Sequence, residues 1–391
     1  MAVGFKLEGQ DFEDIYVKWN QLPFYEGILD SEYRRPGGMW AFGDGIYGGT
    51  GLSSNISRSS PMQVGSLTTW AQVSCGGFFA AAVKTDGSLW AWGIHVNGQL
   101  GIGPIVAPFS QSSPVRVGAL SNWKHVCCGG SHSVAIKTDG TLWSWGNNGS
   151  GKLGLGNVVH RSSPVQVGAL TNWRQVSCAI SHTLAIKTDG TLWSWGANTT
   201  GELGTGTIVW RSSPVQVGSL TNWRVVEGGG FAFSAAVKTD GSLWTWGDNT
   251  NGQLGLGNVV HRSSPVQVGS LIDWNSITCG HRHAVAIKTD GSLWTWGDNT
   301  YGQLGIGDVV PRSSPVQVGS LTTWAQVVAG MYYTVALKTD GTLWSWGENT
   351  HGQLGIGDVV HRSSPVQVGS LTVWKTLPKN LDDANFVCLQ Y

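Results

Sequence analysis

The chain has 391 residues, of which 57 are Gly and 22 are Trp; charged residues make up only 12%, and 24 Lys plus Arg balance 24 Asp plus Glu. A neutral chain without a basic cluster argues against nucleic acid or an anionic membrane as partner. The N-terminal "MAVGFKLEGQDFEDIYVKW" mixes charged and apolar residues and has no run long enough for a signal h-region or a membrane span, which predicts a soluble protein, cytoplasmic or virion-associated.

Residues 1–36 read as an N-terminal extension or anchor, because the first recognisable motif is "GGMWAFG", ending at Gly43. Its closing glycine returns at Gly93, Gly146, Gly196, Gly247, Gly297 and Gly347, each time after Trp-x-Trp. The spacings are 50, 53, 50, 51, 50 and 50 residues. A Pro in "SSP-x-x-V" keeps the same count from Pro61 to Pro365, and a Trp follows it nine residues later in all seven copies, from Trp70 to Trp374. A register held seven times is an architecture, not a chance motif.

Within one unit, four short segments have strand composition: "NWRQVSC", "HTLAIKT", "TLWSWG" and "SPVQVG". Each is bounded by Gly, Pro, Asn or Asp. Asp-Gly joins the second segment to the third in six units and predicts a type I′ hairpin. Four antiparallel strands in about 50 residues, repeated seven times, predict an all-β, seven-bladed β-propeller over residues 37–391.

The first unit begins with its third strand, whereas the last runs out at "NFVCLQY", where a second strand is due. Pairing of these N- and C-terminal strands would complete one blade and hide both sheet edges. A rival closure draws the missing strands from the N-terminal segment, in which "YRRPGGMW" aligns with "IKTDGTLW". Strand composition favours the C-terminal "NFVCLQY" over "LDSEYRR".

The two Trp of each Trp-x-Trp lie on one face of their strand, and the residue between them is always small, from Ala41 to Ser345. Blades that interlock large against small need this pattern, so these Trp read as packing between blades rather than as a stacking platform. Trp210, alone in a loop, is the exception. Cys75, Cys128, Cys178 and Cys279 share one repeat position and read as small buried hydrophobes, not disulfide partners.

The combined pattern H-x-x-A-I-K-T-D-G-x-L-W-x-W-G-x-N-x-x-G-Q-L-G resembles the RCC1 repeat of propellers related to the regulator of chromosome condensation, from residue 37 to about 377. The resemblance implies the seven-bladed fold and, more loosely, a loop face that grips another macromolecule. It does not fix the partner: similar proteins include an exchange factor for a small GTPase, a β-lactamase inhibitor and a plant ultraviolet sensor. The sensor's Gly-Trp-Arg-His-Thr pattern and a basic chromatin-binding tail are not found in this chain.

No nucleophile elbow, phosphate-binding loop or zinc-protease motif occurs, so the sequence predicts no enzyme and no cofactor. His132, His182 and His283 share a position with Phe79, Phe233 and Tyr333, which points to shape rather than a metal ligand. The Lys of "KTDG" reads as a solvated charge ladder.

The units differ most in the turn after the first strand: "CGGFF", "CGGSH", "CAISH", "GGGFAF", "CGHRH" and "AGMYY". Anchors of binding patches are usually of these residue types. Phe78, Phe79, His132, His182, Phe231, Phe233, Arg282, His283, Tyr332 and Tyr333, with Trp210, are therefore the expected contacts to a protein or a surface glycan. The β-branched pairs of "NVVH" and its copies read as an outer strand in preference to an exposed apolar ring. The expected function is a non-catalytic binding or structural propeller, a virion appendage or surface-recognition module docked through residues 1–36. A GTPase regulator and a multivalent lectin that uses the "N-x-x-G-Q-L-G" loops are the alternatives.

Overall fold

The computed structural model describes residues 38–378 and 385–390. Residues 1–37 lie outside the described residues, and with them the expected anchor segment.

Seven four-stranded antiparallel sheets make up the described residues. In six of the blades the strands, here named A to D, are H-bonded in chain order; the third blade runs Trp173–Cys178, His182–Lys187, Leu192–Gly196 and Arg211–Gln216. The closing blade takes strands A and B, Trp374–Thr376 and Asn385–Gln390, from the C-terminal end and strands C and D, Gly38–Gly43 and Arg58–Gln63, from the N-terminal end. Gly38 pairs with Gln390 and Gly43 with Asn385 in an unbroken register. The C-terminal closure is thus the one adopted, and it removes the two edges an open array would present.

Strand B is buried along its whole length, as in "HTLAIK" of the third blade, because a sheet face covers it on either side. Strand D is half-exposed throughout and forms the outer edge. Strands A of successive blades touch one another and form the inner wall. Gln72 on strand A of the first blade clamps its neighbour there: its Nε2 donates to the Val126 carbonyl at 2.7 Å and its Oε1 accepts from the Val126 N–H at 2.9 Å.

Between blades, large meets small. Trp173, Ala185 and Trp195 of the third blade pack against Val134, Ile136 and Leu142 of the second. Trp173 stands edge-on to both Trp193 and Trp195 at 6.1 Å, a geometry that adds about 0.5–1.5 kcal/mol per aromatic pair beyond area burial. The second Trp of each pair also donates its indole N–H to the preceding blade: Trp195 to the Lys152 carbonyl and Trp246 to the Glu202 carbonyl, both at 2.9 Å. All six cysteines are buried.

The Asp-Gly hairpin differs from the expected type I′. Gly140 donates to the Lys137 carbonyl, and Lys137 to the Thr141 carbonyl, both at 3.0 Å; in this loop the glycine alone takes a positive φ, +78°. This is a three-residue loop with the glycine in the bulge position, so a single left-handed residue suffices where type I′ needs two.

Candidate interaction face

The antiparallel order puts the A–B turns and the C–D loops on one face of the ring, and the Asp-Gly hairpins and D–A connections on the other. On the first face neighbouring turns are stitched through their backbones: Gly230 donates to the Gly280 carbonyl at 3.0 Å, Phe231 to the His281 carbonyl at 2.8 Å and His281 to the Met331 carbonyl at 3.2 Å. The variable turns of the fourth, fifth and sixth blades are thus joined to one another.

Only some of the expected contacts reach solvent. Phe79, His132, His182, Phe233, His283 and Tyr333 are all buried, at 0–1% exposure, and belong to the wall between blades rather than to a surface. For the three histidines the hydrogen bonds give the reason. Nε2 lies 3.0 Å from Thr183 Oγ1, 2.9 Å from Ser234 Oγ and 3.1 Å from Thr334 Oγ1 of the next blade. Each hydroxyl already donates to a carbonyl, of Lys152, Glu202 or Gln303, so the imidazole must donate from Nε2. Burial pushes His182 and His283 down to about 4 and His132 well below the ordinary range, with nearby Lys152 adding to the last.

Phe78, Phe231, Arg282, Tyr332 and Trp210 remain at the surface. The structure joins three of them into one ladder over the fourth to sixth blades. The Arg282 guanidinium sits 4.0 Å from the Phe231 ring centroid. His281 stands edge-on between Phe231 at 4.5 Å and Tyr332 at 5.6 Å. Tyr332 continues to Tyr301 at 5.4 Å, and Tyr301 to His361 at 5.3 Å. His281 is 7% exposed, and burial, with Arg282 adding, lowers its pKa to about 4. Sequence reasoning missed His281, Tyr301 and His361 as contacts; Tyr301 is legible as a tyrosine, shared only with Tyr47 of the first unit, at a position held elsewhere by Asn97, Ser150, Thr200, Asn251 and His351.

Trp210 is 53% exposed on the C–D loop of the third blade. The β-branched pairs beside it are not an outer strand: they precede strand D, and Val159, Val209, Val260, Val310 and Val360 are 50–58% exposed.

Four acidic residues share this sector. Asp248, Asp298, Glu348 and Asp44 directly follow the closing glycine in the fourth, fifth, sixth and closing blades, where the first three blades carry Ile94, Asn147 and Ala197.

Other repeated polar groups are consumed internally. The second glycine of "GQLG" lies under the next blade's Trp; a Cβ on Gly255 would meet the Trp296 indole nitrogen at 2.8 Å. The "KTDG" lysines are not a solvated ladder. Lys137 is 5% exposed, with Nζ 3.6 Å from the Trp143 ring centroid and 4.9 Å from that of Trp123, and burial lowers its pKa. Trp143 in turn donates to Thr141 Oγ1 at 2.9 Å, and Thr141 to Asp139 Oδ1 at 2.6 Å. Among the described residues no group of three or more His, Cys, Asp or Glu is placed to hold a metal ion, and no helix is long and apolar enough to cross a membrane.

This geometry defines a propeller with one differentiated face, and the comparisons agree on its class. The sequence matches the RCC1-like domain family over residues 33–275 and the RCC1 repeat over residues 290–337 and 340–376; the chain belongs to the RCC1-like domain family. It is 34% identical over 253 residues to the Arabidopsis thaliana ultraviolet-B receptor UVR8, covering 63% of this chain and 57% of the receptor. It is 38% identical over 128 residues to the mitochondrial RCC1 domain-containing protein RUG3 of Arabidopsis thaliana, covering 31% of this chain and 28% of that one. The chain thus spans less than three fifths of these curated relatives. In fold it is similar to human WBSCR16, with TM-score 0.81 and 21% identity over 91% of this chain and 99% of that one. It is also similar to yeast RCC1, Prp20, in its complex with Kap60, with TM-score 0.82 and 18% identity over 100% of this chain and 97% of that one.

Proposed function

We propose that this protein is a non-catalytic binding propeller that grips a protein partner with the face of A–B turns, through its fourth to sixth blades. One observation carries the reading: in a ring of near-copies, Phe231, Arg282, His281, Tyr332 and Tyr301 form an aromatic ladder capped by a guanidinium. Clustered aromatics with an Arg are the usual composition of interface hot spots. Binding of Gsp1p and histones by yeast Prp20p, and of Kap60 by yeast RCC1, supports macromolecular recognition as the role. The multivalent glycan reading is weaker, because the "GQLG" loops that would form its repeated pockets are packed under tryptophans. The closing blade takes all its strands from residue 38 onward, which supports a docking role for residues 1–36. The setting, a virion or a cell, follows from the partner.

The test is affinity capture from the protein's native source with three baits: the parent protein, Phe231→Ala/Tyr332→Ala, and Leu220→Ser on the opposite face. A partner kept by the parent and by Leu220→Ser but lost by the double variant is expected. Equal capture by all three sinks the reading.

A further inference from the structure

On the face of A–B turns and C–D loops, an arginine opens strand D in six of the seven blades, and the blades divide by what it meets. In the fifth and sixth blades a carboxylate takes it: Arg312 Nη2 lies 2.6 Å from Asp308 Oδ2, and Arg362 Nη2 lies 2.5 Å from Asp358 Oδ2. In the second, third and fourth blades the residue four positions earlier is Asn157, Thr207 or Asn258. Asn157 keeps the backbone half of the aspartate's role: its Oδ1 accepts from the Val159 N–H at 3.0 Å, as Asp308 Oδ1 does from Val310 at 2.9 Å. Its other arm is an amide that donates to the Leu155 carbonyl at 3.1 Å and cannot accept from a guanidinium. Arg161, Arg211 and Arg262 are therefore half-buried cations that pair with no carboxylate among the described residues. Asp248, also in the fourth blade, is engaged by Thr250 Oγ1 at 2.7 Å and Gln253 Nε2 at 2.8 Å.

Apolar surface stands beside each of these arginines. Val158 and Val159, Ile208 and Val209, and Val259 and Val260 are exposed in the loop just before them. Trp210 widens the patch beside Arg211. At its position His160 and His261 accept from the Asn148 and Asn249 N–H groups at 2.9 and 3.0 Å; an indole has no lone pair for that task, and Trp210 lies at the surface. The result is an arc over three consecutive blades, none of them next to the closing blade, in which cations alternate with apolar side chains.

We propose that this arc is a second docking surface, for an acidic segment of a protein partner in which Asp or Glu alternates with aliphatic or aromatic residues. The partner's carboxylates pair with the guanidinium groups, and its apolar side chains cover the β-branched pairs and Trp210. Charge complementarity sets the sign of the partner. The interleaved apolar surface selects a polypeptide over a nucleic acid or a sulfated glycan, whose anionic backbones bring charge without aliphatic side chains. The arc shares no residue with the aromatic ladder, so the proposal stands or falls independently of that assignment.

The experiment is calorimetric titration of the full chain with a peptide of four Glu-Glu-Leu repeats and with its Gln-Gln-Leu counterpart. A heparin oligosaccharide and a peptide copying residues 5–16 of this chain, itself acidic and apolar, are the competing ligands. The Glu-Glu-Leu peptide is expected to bind, more weakly as salt rises, and the Gln-Gln-Leu peptide not to. Arg211→Gln and Thr207→Asp, which gives Arg211 the partner that Arg312 has, should each weaken binding roughly two- to fivefold. Trp210→His should weaken it roughly tenfold. Arg312→Gln, and the Phe231→Ala/Tyr332→Ala variant of the capture experiment, should bind the peptide as the parent does. No binding of Glu-Glu-Leu, equal binding of Gln-Gln-Leu, or an equal loss in Arg312→Gln overturns the proposal. Tighter binding of heparin also overturns it, and binding confined to the copy of residues 5–16 would assign the arc to the chain's own N-terminal segment instead.

Discussion

Gly305 lies directly beneath the indole ring of Trp346 in the next blade. A Cβ on Gly305 would fall 2.5 Å from Trp346 Nε1, and that nitrogen donates to the Gln303 carbonyl at 2.9 Å. The same contact recurs around the ring, down to Gly355 against Phe42. Gly305→Ala is expected to cost more than about 2 kcal/mol, because it combines a clash with backbone strain at φ +70°. Gly269→Ala, at φ +61° with open space around it, isolates the strain and is expected to cost about 1–2 kcal/mol. Urea unfolding of the two variants measures the difference; equal losses would show that the indole contact contributes nothing.

Phe42 is the one natural departure from the tryptophan ring. It occupies the place of Trp346 but has no N–H to offer the Gln353 carbonyl, the counterpart of Gln303. Phe42→Trp is therefore expected to stabilise the closing blade by about 1 kcal/mol. Trp346→Phe should cost about 0.5–1.5 kcal/mol, one hydrogen bond's net worth, because the Gln303 carbonyl keeps the Thr334 hydroxyl as a donor. A melting-temperature series on both variants tests the pair.

Lys137 and Trp143 offer a direct measurement of the repeated cation–π contact, at 3.6 Å. Lys137→Met keeps most of the stem and removes the charge, and should lose about 1 kcal/mol. In a double-mutant cycle with Trp143→Leu, the coupling should be at least about 0.5 kcal/mol. A coupling of zero would mean that the lysine is held by packing alone.

The buried histidines predict an acid-sensitive ring. In the folded protein burial holds His182 and His283 neutral down to about 4, against an ordinary value of 6.5, and pushes His132 well below that ordinary value too. Glu202 near His182 and Asp298 near His283 oppose this, and Lys152 adds to it at His132. The unfolded chain takes up the protons first, so the stability these sites contribute is complete above about pH 6.5. It falls toward pH 4 by up to about 1.4 kcal/mol per pH unit per histidine. His132→Phe/His182→Phe/His283→Phe should flatten this slope without loss at neutral pH, since Phe79 and Phe233 fill the same position in other blades. Urea midpoints across the pH range measure it, and an unchanged slope would place the acid sensitivity elsewhere.

Blade number, strand order and the packing role of the paired tryptophans were determined by the sequence alone. Each depends on local alternation and turn chemistry, repeated every 50 residues or so. The tertiary structure decided what depends on residues far apart in the chain. Closure needed Gly38 to meet Gln390, and strand composition could rank that pairing but not establish it. The charge of Lys137 suggested solvent until two indole faces covered it. Phe78 and Phe79, adjacent in the chain, take opposite fates: positive φ turns Phe78 to the surface while Phe79 packs, fully buried, against the second blade. A repeat fixes which positions vary, but the neighbouring blade and the backbone angle decide which of those positions a partner can reach.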